Sequence, residues 1–392
     1  LDKRNYMKKQ LLLPFLLFVV FARISGSSQD IRGLWIIRDE LTSPQRIERI
    51  LDIAEKGGFN TLFLQVRGRG YAFYRSSIVP RCPLIAIGDS LMNEFDPLEF
   101  AAKKAHERGF KVHAWLNVLF TWSRAEEPED SHHILLTNPQ WFMVGCDNTR
   151  PLGNSFEMVS GTGWYLSPGI PEVRHYFTTI VREIIDNYDV DGIHLDYIRY
   201  PSEKFDFHPT VRIEYSKLYG IDPLQIVTSQ TTVKAGNEQT TELNTNTIGN
   251  WYEFRSQKVT QMVEAISQTI QQKKRSIMLS CAVKPQLDEA YVLFGQDWAC
   301  WLNDGLVDFV CPMNYTNNIK ILLKNTRYAM SKVSKDGLVV GLGAYMVDPD
   351  ALSQQVAEVI NLDVRGFTVF SSGILSENPE YIKSLAPLTI QK

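Results

Sequence analysis

From residue 31 onward the chain switches eight times between a short apolar run and a longer segment of helical period. The runs fall at 32–37, 61–66, 110–118, 191–198, 276–283, 306–315, 337–345 and 366–371. The helical segments fall near 44–57, 96–109, 171–188, 250–273, 296–305, 318–333, 349–361 and 378–386. Strict alternation of this kind places successive strands in parallel, each followed by a helix that covers the sheet. Eight units close a (β/α)₈ TIM barrel, so the expected fold is α/β, a single domain with long βα loops. An open doubly wound sheet would carry a glycine-rich first turn for a nucleotide, and Trp35-Ile36-Ile37-Arg38-Asp39-Glu40 is nothing like one. Start signals support the helices: Ser43-Pro44, Asp96-Pro97, Pro171-Glu172 and Asp348-Pro349 each put a proline at or near the first turn.

The 392 residues, 44% of them hydrophobic, are enough for one large core. The formal net charge of -3 leaves no basic field for nucleic acid or anionic lipid. The first 28 residues stand apart. Lys8-Lys9 follow Met7, which reads as the start codon, and an apolar run over 11–22 leads to the small residues Ser25-Gly26-Ser27-Ser28. This is the pattern of a cleaved signal peptide, and the run is too short to cross ~30 Å of hydrocarbon as an anchor. The expected organisation is therefore a leader over 1–28 and the barrel over 29–392, secreted or periplasmic. Five cysteines make no disulfide framework in a chain this long. Cys281 and Cys311 suit the core, while Cys82, Cys146 and Cys300 leave room for one bridge. No cysteine and histidine spacing matches a zinc site, and no metal or cofactor is expected.

Loop lengths then locate the chemistry. The αβ connections are short, whereas the βα connections over 67–95, 118–170 and 199–249 are long. In a barrel these emerge on the C-terminal face, where active sites are built. The stretch 228–247 is rich in Thr, Gln and Asn and reads as a polar insertion.

Strand alternation turns Gln65 and Arg67 inward from the second strand, His113, Trp115 and Asn117 from the third, and His194, Asp196 and Ile198 from the fourth. Ser280, Ala282 and Lys284 follow from the fifth, and Cys311, Met313 and Tyr315 from the sixth. Polar groups in a barrel interior are costly unless they bond one another or bind something. Asp191 opens the fourth strand at the bottom face and suits a structural acid. His113 and His194 lie deep enough to be core histidines, with His194 kept among the binding candidates. Asp196 is an inward carboxylate at the open end, with Arg199 just beyond it. Aromatic residues crowd the same face, among them Tyr71, Trp115, Trp298 and Tyr315, and flat rings suit the C–H faces of sugars.

Asp191-Gly192-Ile193-His194-Leu195-Asp196-Tyr197-Ile198-Arg199-Tyr200-Pro201 resembles the signature of the family-10 glycosyl-hydrolase-like barrels. Arg32-Gly33-Leu34-Trp35, Gln65-Val66-Arg67-Gly68-Arg69-Gly70, His113-Ala114-Trp115-Leu116-Asn117, Gln296-Asp297-Trp298 and Cys311-Pro312-Met313-Asn314-Tyr315 match further blocks in the same order. The resemblance covers about 31–375. It implies an exported glycosidase-type barrel acting on a polysaccharide, with bacterial cell-wall glycan the first expectation, and with the strand-four Asp196 as a catalytic residue. Relatives often carry an Asp where this chain has Tyr71. In the related family 18 chitinases the strand-four acids sit at positions matching His194, Asp196 and Ile198. The last of these, the proton donor, is absent here, so a substrate-assisted mechanism cannot run from strand four.

Ordinary glycoside hydrolysis needs two carboxyl groups, ~5–5.5 Å apart for retention and ~6.5–9.5 Å for inversion. Asp196 is the first, expected to be held ionised by Arg67, Arg199 or Lys284. Glu289 leads for the second, with Asp39 and Asp297 as alternatives, although Asp297 better suits the cap of the helix that begins at Trp298. Arg67, Arg69, Tyr71, Trp115, Asn117, His194, Arg199, Lys284, Asp297, Trp298 and Tyr315 complete the expected substrate-binding set. A barrel that binds glycan without cutting it is the alternative. An esterase or deacetylase lacks support, since there is no Gly-x-Ser-x-Gly elbow and no His/Asp metal set. If the leader is cleaved, mass spectrometry of the protein secreted by an expressing host should find its first residue close after Ser28; an intact N-terminus in the medium would contradict this.

Overall fold

The computed structural model describes residues 30–85, 95–124, 126–149, 163–226, 245–273 and 276–389. The expected leader over 1–28 and most of the polar insertion over 228–247 lie outside the described residues. Eight strands form the barrel: β1 (Ile31–Ile36), β2 (Thr61–Gly68), β3 (Lys111–Asn117), β4 (Gly192–Asp196), β5 (Met278–Val283), β6 (Phe309–Pro312), β7 (Val339–Gly343) and β8 (Gly366–Phe370). Each pairs in parallel with the next from β1 to β6, and β8 pairs with both β7 and β1. Between β6 and β7 the ladder thins to the isolated bridges Val310–Leu338 and Met313–Gly341, so the barrel is nearly closed.

The barrel helices are α1 (Pro44–Lys56), α2 (Pro97–Glu107), α3 (Pro171–Asn187), α4 (Thr245–Gln271), α5 (Trp298–Asn303), α6 (Ile319–Met330), α7 (Pro349–Asn361) and α8 (Glu380–Thr389). Their starts follow the expected chemistry: Ser43, Asp96 and Asp348 each accept a first-turn N–H just before a proline. The loop after β4 contains one more helix, Pro209–Tyr219, which packs Val211 and Tyr215 against Trp251 and Phe254 of α4. Part of that loop is thus a folded outwork with its own small core. Among the described residues no helix is long and apolar enough to cross a membrane. All five cysteines are free thiols, which corrects the allowance for a bridge among Cys82, Cys146 and Cys300.

The two faces of the strands build two cores. Leu62, Leu64, Val112, Ala114, Leu116, Ile193 and Leu195 join the layer under the helices. Trp35, Phe63, Trp115, Ala282, Phe309, Cys311 and Val339 fill the interior. Two histidines sit among these rings. His194 accepts the Trp35 indole N–H at 3.1 Å through Nε2 and meets Ser280 Oγ at 2.9 Å through Nδ1, so it is the Nδ1–H tautomer that donates to Ser280. His113 packs between Phe63 and Phe309, with ring centroids at 5.2 and 5.7 Å. Burial holds both imidazoles neutral, lowering His113 to about 4 and His194 well below its ordinary value. Both histidines of the barrel floor are therefore neutral and packed among rings, with the Arg365 guanidinium 5.0 Å from the Phe309 ring.

Gly192 opens β4 directly against this floor, where an added Cβ would lie 2.3 Å from the His113 ring. Because His113 is wedged between two phenylalanines, it cannot yield. Gly192→Ala is expected to destabilise the fold by about 1–3 kcal/mol in urea unfolding, as overpacking does; an unchanged midpoint would contradict this packing.

Candidate active site

Asp196 is the last residue of β4 and stands opposite Asn117 in the ladder with β3. Only 8% of it is exposed. One carboxylate oxygen accepts the Tyr197 backbone N–H at 2.7 Å. The Trp115 indole N–H lies beside it, near enough to favour the charged carboxylate but short of a well-formed hydrogen bond. Burial raises the Asp196 carboxyl to about 6, and this outweighs the opposing pull of Arg199, the Tyr197 N–H, Trp115 and Lys284. The expectation of a carboxylate held firmly ionised is thereby corrected: desolvation wins over the cations, and Arg67 is not among the leading influences on the group. A carboxyl poised near 6 suits a group that holds and releases a proton near neutral pH.

The chain leaves β4 abruptly. Tyr197 has a left-handed φ of 52°, which a bulky residue rarely adopts. Its ring is sandwiched between Phe120, stacked at 4.7 Å, and the Arg199 guanidinium at 4.9 Å. This turn ends the strand alternation, so Ile198 joins the outer core instead of facing inward as expected. Arg199 also lies over Phe294 at 5.3 Å and donates to the Tyr200 carbonyl. Lys284 leaves the end of β5, and its Nζ sits 4.7 Å over the same Phe294 ring. Burial and the proximity of Arg199 lower its pKa.

The other expected residues divide. Tyr315 packs edge-on to Trp35 and lies 5.7 Å from Phe370, and its hydroxyl is raised by burial and by the Asp196 charge; it therefore belongs to the mouth. Asn117 bonds Gln65 on β2 at 3.1 Å. Arg69 shares a tight turn with Gly70, both with positive φ, and donates to Ser123 at 3.2 Å. That turn folds Tyr71–Ala72 back along β2. Tyr71 packs against His133 and Trp122 at 4.9 and 6.2 Å and is 8% exposed.

Four residues expected to bind substrate, Arg67, His194, Trp298 and Asp297, are corrected by position. A bulge at Val66 sets Arg67 beside Leu116, so its guanidinium lies behind the sheet, 4.8 Å from the Phe177 ring of α3, and donates to the Asn117 carbonyl. His194 is sealed in the floor. Trp298 is wholly buried, donating to the Lys284 carbonyl at 3.1 Å. Asp297 caps α5 by accepting the Cys300 N–H. Glu289 is exposed on the short helix Leu287–Phe294 and acts electrostatically on Lys284. Asp39 is exposed after β1, 3.8 Å from Arg38.

Two further residues matter that strand alternation does not point to. Gln296 is buried and ties the strand ends together, accepting the Lys284 N–H and donating to the Ile198 and Ala282 carbonyls. Arg38 donates twice to Gln65 Oε1, from its backbone N–H and its Nη1. Its adjacency to an expected acid was the only sequence signal.

Residues 30–355 match the family described as glycosyl hydrolase-like 10. The chain belongs to that family. A protein named glycosyl hydrolase DigH, from Escherichia coli K12, is 31% identical over 219 residues, 49% of this chain and 47% of that protein. The match thus spans about half the length of that relative. Glycosyl hydrolase YngK of Bacillus subtilis is 23% identical over 415 residues, 94% of this chain and 73% of that one. Among solved structures, the glycoside hydrolase domain of PgaB (BpsB) from Bordetella bronchiseptica superposes with a TM-score of 0.66 at 16% identity, covering 92% of this chain and 99% of that domain. An alpha-L-fucosidase from Paenibacillus thiaminolyticus gives 0.62, also at 16%, covering 93% of this chain and 49% of that one. At these identities the structural likeness speaks for the barrel alone.

The raised Asp196 carboxyl has a thermodynamic consequence. The folded chain binds this proton up to about pH 6 and the unfolded chain only to 3.8. Stability therefore falls as pH rises between those values and then levels. Asp196→Asn should remove that slope and leave the variant more stable than wild type at pH 7, by on the order of 3 kcal/mol. Urea unfolding at pH 4 to 7 reads the difference; parallel curves would contradict a raised carboxyl.

Proposed function

We propose that this protein is a glycoside hydrolase in which Asp196 protonates the glycosidic oxygen of a polysaccharide held across the barrel mouth. The observation that carries the reading is the buried Asp196 carboxyl at the end of β4, raised to about 6 despite two nearby cations. A leaving sugar needs a proton, and a general acid works best with a pKa near the operating pH. Arg199 and Lys284 then suit substrate oxygens, and Tyr315 and Trp115 suit a sugar face. Glu289 is the proposed second carboxylate: it stands on the short helix after β5, and it and Asp196 both act electrostatically on Lys284. Asp39, across the mouth after β1, is the alternative. Family membership supports action on glycan. The leader-like residues 8–28 support work outside the cytoplasm, where cell-wall glycan is the proposed substrate.

The test is release of reducing ends from peptidoglycan glycan strands and from a panel of plant and host polysaccharides. Asp196→Asn should cut the rate by about 10²–10⁴-fold, and wild-type kcat should fall as pH rises through about 6. Glu289→Gln should lose activity to a similar degree, and Asp39→Asn much less. Saturable binding without new reducing ends, equal in wild type and Asp196→Asn, would establish instead a barrel that binds glycan without cutting it.

A further inference from the structure

Arg38, Gln65 and Asn117 form a hydrogen-bonded line from the rim after β1, across β2, to the end of β3 beside Asp196. The line has only one polarity. A guanidinium and a backbone N–H can only donate, and both reach the same Gln65 atom, at 3.2 Å each, so that atom is the carbonyl oxygen. The other prong of Gln65 is then its NH₂, and the Asn117 atom 3.1 Å from it must be the acceptor Oδ1. Each amide is thus prevented from flipping by the one before it. What remains is the Asn117 NH₂, on the prong turned away from β2. It makes no hydrogen bond among the described residues, and it is not among the buried atoms left without a partner. Asn117 and Asp196 are ladder partners on strands about 4.8 Å apart. That spacing is short enough for one sugar ring to meet both an N–H here and the Asp196 carboxyl.

We propose that Arg38 and Gln65 are positioning residues that lock the Asn117 carboxamide with its NH₂ toward the mouth, where it donates to a hydroxyl or carbonyl oxygen of the sugar that Asp196 serves. The inference deepens the hydrolase reading and rests on it for the role of Asp196. Arg38 and Gln65 touch no substrate; they determine whether the mouth offers a donor or an acceptor at this point. The site consequently favours a ring substituent that accepts.

Gln65→Glu tests the lock. The new carboxylate still accepts from Arg38 and turns its second oxygen on Asn117, which must flip and present Oδ1 to the mouth. The side-chain NH₂ resonance of Asn117, assigned by its loss in Asn117→Asp, should shift in Gln65→Glu and become protected from exchange with water. An unmoved resonance overturns the lock, and this reading needs no substrate. Asn117→Asp, nearly isosteric, places an acceptor in the mouth directly and covers the case in which Gln65→Glu does not fold.

The donor role is read in both affinity and hydrolysis with soluble peptidoglycan glycan strands. Gln65→Glu, Asn117→Asp and Asn117→Ala should each lose about tenfold. Gln65→Glu added to Asn117→Ala should lose nothing more, since it acts only through Asn117. Losses that multiply, or a Gln65→Glu protein equal to wild type, overturn the proposal, as does a wild type that fails to bind the strands. If wild type binds but does not cut, the hydrolase reading falls, while the same cycle in affinity still judges Asn117.

Discussion

Trp35, His194 and Ser280 draw a hydrogen-bonded line across the barrel from β1 to β4 and β5, through an interior otherwise filled with aromatic and aliphatic side chains. Everything above depends on that layer being dry and full. His194 stands there neutral and paired, through the Trp35 N–H and Ser280, whereas His113 is neutral and held by ring packing alone, with neither nitrogen bonded among the described residues. The layer denies water a path from below and sets the environment of Asp196 one rung higher.

Asp196 shows what that environment does. Arg199 and Lys284 stand near enough to favour its charge, and in water they would hold it ionised. In the mouth of a packed barrel the loss of hydration outweighs them. The cations are themselves partly committed, Arg199 to the rings of Tyr197 and Phe294 and Lys284 to Phe294. A site with one raised carboxyl and two restrained cations differs in chemistry from an ion pair, although both have the same composition.

Much of the fold was legible. Eight strands and eight helices follow from the alternation of periods, and proline with Ser or Asp marks several helix starts. The inward set at Trp115, Asn117, Asp196, Ser280 and Cys311 follows from period-two alternation alone. The same rule fails at Arg67 and Ile198, and for one kind of reason: the backbone departs from the regular strand. A one-residue bulge reverses the phase of Arg67, and the left-handed Tyr197 reverses that of Ile198. Tyr197 has no neighbouring glycine or proline to announce the departure, and at the bulge Gly68 comes only after Arg67. Asp297 takes the cap that its place before α5 suits, and Trp298, expected at the mouth, is the buried first residue of that helix.

The sequence by itself determined the barrel and the place of Asp196 as an inward carboxyl at the end of β4, because these depend on periodicity and on residue type at a strand end. Only the tertiary structure decided the protonation of Asp196, the withdrawal of Arg67 behind the sheet, and the one-way chain from Arg38 to Asn117. Those depend on burial and on contacts between residues up to a hundred or so positions apart in the chain, where solvent exclusion and hydrogen-bond polarity are settled by neighbours that local pattern does not name.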